Sequence, residues 1–263
     1  MISKTPFVAE QIRKLPEIQD RVDYLWGKYS EEDCVILAAG PSLKKYPVDY
    51  IKEKLKDKLV ISIKQSIKDF YDITDFHVLN FTNYEPYENY QLDQNIVVWE
   101  VFEQYHPQMI LENKIPCDIM LPIEGNHGTD TVDKMNGTQA KLENFSDWEL
   151  RKTLVRWYGP GIMYETVMHL CVHLGVKSIT TLGWDIGDLS KFGDDPYEDV
   201  WQDHSYQGQD NIVYAPTPMN KYEIEVVRDS TPALYKYLQS QGINLQIISD
   251  TNPASDIIPR VEL

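Results

Sequence analysis

The residues best able to do chemistry fall in four places. The first is Ala38-Ala39-Gly40-Pro41-Ser42-Leu43, where the apolar run CVIL leads straight into Gly-Pro-Ser. Gly40 would let the backbone turn tightly and approach a ligand. Pro41 fixes φ and suits a first helical turn, because it has no N–H to lose. Ser42 offers a hydroxyl and an amide, to an anion or to a helix start. The second is Gly159-Pro160-Gly161-Ile162-Met163-Tyr164-Glu165-Thr166, a glycine loop opening an apolar helix. Unsatisfied amides and the positive end of the helix dipole would face an anion there. That helix runs on to SITTLGWD, and its Asp185 stands where a buried strand ends. The third is His204, between Asp203 and Ser205 with Trp201 and Tyr206 close by. An imidazole titrating near about 6.5 suits a general base. The fourth is the pair His169 and His173, at metal-ligand spacing on a predicted helix. Leu170 stands where an HExxH motif needs glutamate, and the flanking Leu, Cys and Val favour packing.

Each has a plainer counterpart: a β-to-α turn with a capping serine, a structural aspartate cap, a solvated loop histidine. Other chemistries are not indicated. Neither GxGxxG nor GxxxxGK[ST] occurs, so there is no dinucleotide or Walker-type fingerprint. No CxxC occurs. Asp185, Asp188, Asp194 and Asp195 could offer carboxylates to a divalent ion, but they form no Asp-x-Asp at a strand end, so no metal is expected.

The elements that must position these residues read as an alternation. Residues 6–28 carry Phe7, Val8, Ile12, Leu15, Val22, Leu25 and Trp26 among charges, which predicts a helical stretch broken near Pro16. Short, continuous apolar runs at 34–40, 59–63, 76–81, 95–102, 178–185 and 245–249 predict strands buried on both faces, as in a parallel sheet. A shorter strand is predicted at 117–121, after which 124–131 is rich in turn residues. Helices are predicted over 48–57, 143–158, 163–174 and 229–241. The expected fold class is α/β: a Rossmann-like, mostly parallel sheet with helices on both faces. The expected organisation is an N-terminal helical extension over 1–30 and a single nucleotide-binding domain over 31–263. Segment 186–220 is long, polar and aromatic, and is expected to be a lid-like insertion. Ligands of such sheets bind beyond the carboxyl ends of the strands, at a topological switch point.

Composition bounds the partners. The chain has 263 residues, 42% of them hydrophobic, and 25 Lys and Arg against 41 Asp and Glu give a net charge of −16. That is globular composition at a length sufficient to bury a core without staples. The acidity excludes a general nucleic-acid binder, which needs clustered cations, but not a small anion held by backbone amides. No apolar run approaches the ~20 residues of a membrane span, and the opening MISKTPFVAEQIRKLPEIQDR has no secretory h-region. Cys34, Cys117 and Cys171 are odd in number and widely spaced, which fits free thiols in a reducing, cytoplasmic setting. A homo-oligomer is compatible with all of this.

VILAAGPSL, the Asn80 region, HLGVKSITTLGWD and the tail IISDTNPASDIIPRV together resemble two related groups, over about 34–85 and 159–260. One is the bacterial family-42 sialyltransferases. The other is the set of MAF flagellin glycosyltransferases and archaeal hydroxymethylpterin diphosphokinases. The resemblance implies a transferase that takes a sugar from a nucleotide donor, with CMP favoured, and passes it to a glycan or other hydroxyl acceptor. It implies inversion, no cofactor and no metal. By similarity Gly40, Pro41 and Ser42 would line the nucleotide pocket, Lys64-Gln65 would replace an Asn-Gln pair, and Asn80 would match the asparagine after the third strand. Gly159, Gly161, Ile162 and Met163 would stand in for the loop that holds the donor sugar. His204, the only histidine between the last two predicted strands, would be the base, with Asp185 beside it in the catalytic set. Ala39 and Lys64 replace two asparagines, the Thr-Ser-Gly loop is not reproduced, and Gly187 replaces a phosphate-steadying tyrosine that Tyr197 or Tyr206 would have to supply. Two alternatives stay open. One is an ATP-dependent, divalent-metal diphosphokinase of the pterin type. The other is a non-catalytic module that binds a glycan or a protein.

Overall fold

The computed structural model describes residues 3–38, 40–80, 94–102, 116–124, 142–157, 161–184, 221–249, 252 and 254–263. Two short helices come first, α1 (Thr5–Arg13) and α2 (Ile18–Leu25). Pro16 lies between them, so the spacing that predicts one broken helix resolves into two. Their buried residues Val8, Ala9, Ile12, Val22 and Leu25 join the same apolar cluster as the sheet. The chain beyond α2 is tied to a later helix: the Gly27 N–H donates to the His173 carbonyl (3.0 Å) and the Tyr29 N–H to the Leu174 carbonyl (2.9 Å).

Among the described residues the sheet has eight strands: β1 (Asp33–Leu37), β2 (Leu59–Ile63), β3 (Phe76–Asn80), β4 (Ile96–Phe102), β5 (Ile119–Glu124), β6 (Arg156–Trp157), β7 (Ser178–Leu182) and β8 (Asn244–Ile248). Their order is β6-β5-β4-β3-β2-β1-β7-β8, and every pairing is parallel. The expected Rossmann-like α/β sheet is therefore present. The crossovers hold α3 (Val48–Leu55), α4 (Ile67–Phe70), α5 (Met168–Leu174) and α6 (Lys221–Ser240), with a π-helical turn, Met163–Val167, leading into α5. Period-2 alternation divides the strands between two faces. Cys34 and Ile36, Leu59 and Ile61, Phe76 and Val78, and Ile96 and Val98 pack with α1, α2, α5 and α6. Val35, Leu37 and Val60 pack with Ile51 and Leu55 of α3 and Phe70 of α4. Each such Leu, Ile or Phe contributes about 1.5–3 kcal/mol by leaving water. The three cysteines are free thiols, and the Sγ atoms of Cys34 on β1 and Cys171 on α5 lie 3.8 Å apart.

Two local departures from expectation have physical causes. The helix predicted over 143–158 is absent; a one-turn 3-10 helix (Phe145–Trp148) and the two-residue β6 replace it. Leu142, Phe145 and Trp148 are buried at threefold spacing, which one tight turn satisfies as well as a helix does. The buried Arg156 then folds the following chain back, donating to the carbonyls of Trp148 (2.7 Å) and Leu154 (3.2 Å). Helix α6 starts earlier than 229 and runs through Pro232. Proline cannot bond the carbonyl four residues back, and the Thr231 hydroxyl donates to that Arg228 carbonyl instead (3.1 Å).

The amino ends of the strands are closed by side chains. Asp75, before β3, accepts bonds from the Ser3 hydroxyl (2.5 Å), the Thr5 hydroxyl (2.6 Å) and the Val60 N–H of β2 (2.9 Å). Asp118, before β5, accepts from Arg13 Nε (2.7 Å), Arg13 Nη2 (3.0 Å) and the Val97 N–H of β4 (2.9 Å).

Candidate functional site

The strand order fixes where a ligand site belongs. From β1 the chain steps outward through β2 to β6, then returns to place β7 on the other side of β1. The reversal makes the carboxyl ends of β1 and β7 the switch point. Gly40-Pro41-Ser42 leaves one of these strands and Gly183-Trp184 leaves the other.

The two exits are stitched together. The Ala38 N–H donates to the Leu182 carbonyl and the Gly40 N–H to the Gly183 carbonyl, both at 2.8 Å. The Gly183 N–H donates to Ser42 Oγ (2.9 Å), and Ser42 is buried. Gly40 itself is extended (φ −79°, ψ 165°), a conformation open to any residue, and Pro41 opens a 3-10 helix, Pro41–Lys45. The glycine requirement falls on Gly183 instead. Its φ is +82°, and a Cβ there would stand 2.3 Å from the Ala38 carbonyl oxygen. The Gly40 amide is thus spent on the Gly183 carbonyl, and the Gly183 amide on the Ser42 hydroxyl. What they build is a rigid floor at the switch point.

The second glycine segment comes up beside this floor. Gly161 has φ +113° with open space where a Cβ would go, so backbone conformation rather than crowding explains it. Ile162 and Met163 are buried in the main core. The Tyr164 ring meets the Trp184 ring edge-on, with centroids 5.9 Å apart. The start of the π-helical turn is thereby fixed against the exit of β7. The tail closes the other side: the Asn252 side-chain amide donates to the Trp184 carbonyl, and the Ala254 N–H bonds Asn252 Oδ1 (2.6 Å). Asp185, Gly159, Tyr197, His204 and Tyr206 lie outside the described residues.

The exits of β2, β3 and β4 carry the remaining candidates. Lys64 and Gln65 begin a short 3-10 turn, Lys64–Ser66, and are partly exposed. Lys64 has φ +53°, a left-handed conformation unfavourable for a side-chain-bearing residue. His77 Nε2 donates to the Lys64 carbonyl (2.9 Å), and the Ser66 hydroxyl accepts the Ile63 N–H (3.0 Å) and donates to the Leu37 carbonyl (2.8 Å). Burial holds the His77 ring neutral, its pKa down at about 4. Asn80 ends β3 and pairs in register with Glu100 of β4.

Glu100 is the site residue that the motifs do not reveal. It is fully buried, and neither carboxylate oxygen has a hydrogen-bond partner among the described residues; the same holds for the Thr166 hydroxyl. Burial pushes the Glu100 carboxyl up to about 7, with the neighbouring Thr166 hydroxyl and Glu165 carboxyl, and then Lys64 and Arg156, pulling the other way. Burial also lowers the Lys64 ammonium, opposed by Glu100 and by the buried Glu165 of the π-helical turn. One signal is visible in the sequence: a single acid inside the apolar strand IVVWEVF. The histidine pair belongs to the core. His173 Nε2 donates to the Val22 carbonyl (2.6 Å), and His169 packs among the rings of Phe145, Trp148 and Tyr237. Among the described residues no group of three or more His, Cys, Asp or Glu side chains is placed to hold a metal ion.

No protein family and no curated protein matches the sequence. A solved structure that is similar is the MAf glycosyltransferase from Magnetospirillum magneticum AMB-1, at 12% identity and a TM-score of 0.46 over 97% of this chain. The chain spans 38% of that protein's length. Among the described residues no helix is long and apolar enough to cross a membrane.

Proposed function

We propose that this chain is a glycosyltransferase that takes its sugar from a nucleotide donor, with a CMP-sugar favoured. The observation that carries the reading is the stitched floor at the β1/β7 switch point, with the start of the π-helical turn fixed against it through Tyr164 and Trp184. A nucleotide laid across that floor would have the carboxyl ends of β2 to β4, with Lys64, Gln65 and Asn80, on one side and the 161–163 segment on the other. Ser42 and Lys64 are the groups we assign to the phosphate. The segment leaving β7 carries Asp185, Tyr197, His204 and Tyr206 in sequence before the chain returns as α6.

In the proposed step His204 takes the proton of an acceptor hydroxyl, on a glycan or another alcohol. The oxygen attacks the anomeric carbon as the bond from that carbon to the phosphate oxygen breaks, inverting the centre. The departing nucleotide carries the negative charge, met by the site's hydrogen-bond donors and by the Lys64 ammonium. The step needs no divalent ion. Calorimetry with CMP, UMP, GDP and ATP tests the binding half: CMP is expected to bind, and binding of none of the four sinks the reading. Sugar transfer from CMP donors in the presence of EDTA tests the rest. His204→Ala should slow transfer by about 10²–10⁴-fold and leave CMP affinity intact. Activity abolished by EDTA and restored by magnesium with ATP would point to phosphoryl transfer instead.

A further inference from the structure

Lys64 follows β2 directly, and in a regular strand its side chain would point away from the face that carries Ile63. The left-handed backbone at Lys64 ends that alternation, and the His77 ring fixes the carbonyl so produced. The ammonium falls within the field of Glu100 and Glu165, which belong to β4 and to the π-helical turn. Along β4, Ile96 and Val98 enter the main core, and Glu100 is the next residue of that row, at the carboxyl end. A sealed carboxylate must be balanced by neighbouring polar groups and positive charge or go neutral, and the Thr166 hydroxyl and Glu165 carboxyl supply the first of these. Two cations act on it, Lys64 and Arg156. Arg156 also serves the Trp148, Thr153 and Leu154 carbonyls, as a brace for β6. Lys64 is partly exposed, whereas Glu100 is not exposed at all. A π-helical turn, an uncommon element often found at functional sites, brings Glu165 and Thr166 to the same cluster.

We propose that Glu100 is the positioning residue of the anion subsite, holding the Lys64 ammonium charged and in place at the carboxyl end of the sheet, where it meets the phosphate of the nucleotide. This rests on the nucleotide reading above. Glu165 assists from the π-helical turn, and His77, kept neutral, fixes the Lys64 backbone. The ligand class is a nucleotide whose phosphate is bound by a lysine that a buried acid keeps ionised at alkaline pH.

The test uses the full chain with carbon-13-labelled lysine, in wild-type and Glu100→Gln forms. Lys64 is assigned by the signal lost in Lys64→Arg. The Lys64 midpoint is expected to fall by about one pH unit or more in Glu100→Gln. CMP affinity should match wild type at pH 6 and drop about tenfold at pH 8.5. Adding Lys64→Arg to Glu100→Gln should restore affinity at pH 8.5, because guanidinium keeps its proton there. An unmoved midpoint overturns the proposal. So does a loss of affinity that is equal at every pH and is not rescued by arginine, which marks a merely structural acid. Should Glu100→Gln fail to fold, Lys64→Met supplies the answer: retention of full CMP affinity overturns the proposal. A midpoint that falls while neither protein binds CMP supports the Glu100–Lys64 link and overturns the nucleotide reading.

Discussion

The two ends of one sheet treat buried carboxylates in opposite ways. At the amino ends, Asp75 and Asp118 each accept three bonds from side chains and strand amides. At the carboxyl ends, Glu100 is buried just as deeply and accepts none among the described residues. A fully bonded buried acid is mortar, because it consumes the orphan donors of neighbouring strands. An unbonded one is a cost that the fold sustains where chemistry is done. The difference in backbone is equally clear. Side chains from α1 close the amino end, whereas main-chain bonds from Ala38 to Leu182 and from Gly40 to Gly183 close the switch point.

The largest expected effect breaks the carboxyl end. Gly183→Ala places a methyl against the Ala38 carbonyl in a backbone conformation that resists it. It should cost about 4 kcal/mol in chemical denaturation and abolish CMP binding even where the chain still folds. Next comes the amino end. Asp75→Asn removes a carboxylate that serves two hydroxyls and the Val60 amide, and turns one acceptor into a donor. A loss of about 2–3 kcal/mol is expected, with CMP affinity unchanged in the folded fraction.

The matching substitution at the other end, Glu100→Gln, should cost less, and its sign should depend on pH. The Glu100 carboxyl titrates at about 7 against an ordinary 4.5. Between those values the native state holds a proton that the unfolded chain releases. Wild type therefore loses stability from this group as pH rises from 4.5 to 7, and the loss is complete above. Glutamine has no such term. Melting at pH 5 and pH 8 should show the variant gaining on wild type by roughly 1–3 kcal/mol at the higher pH. A parallel pair of curves would sink the contrast between the two ends. The smallest effect is a control on α1. Lys14→Ala removes an exposed pair with Glu10 (2.6 Å) and should change stability by less than about 0.5 kcal/mol.

The sheet is legible because parallel strands buried on both faces read as solid apolar runs, and CVIL, LVISI, FHVLN and SITTL all do. What escapes is whatever has no run. Strand β6 has only two residues, and Leu142, Phe145 and Trp148 imitate a helix that one tight turn replaces. Pro232 hides the first turns of α6 until Thr231 is seen to serve the abandoned carbonyl. At the site, the exit of β1 is legible from Gly-Pro-Ser. The strained glycine is not, because which exit lies beside it depends on strand order. Glu100 and Glu165 escape for the same reason. They lie 65 positions apart in the sequence, on a strand and on a helical turn that only the fold brings to one lysine.

Helices α1 and α2 leave the ribosome before the residues that anchor them to the sheet. Their anchors are Asp75, Asp118 and the His173–Leu174 carbonyls. Segments of nine and eight residues do not persist alone in water. At ordinary elongation rates roughly 10–30 s pass before α5 emerges. During synthesis these two helices must wait for their anchors to emerge.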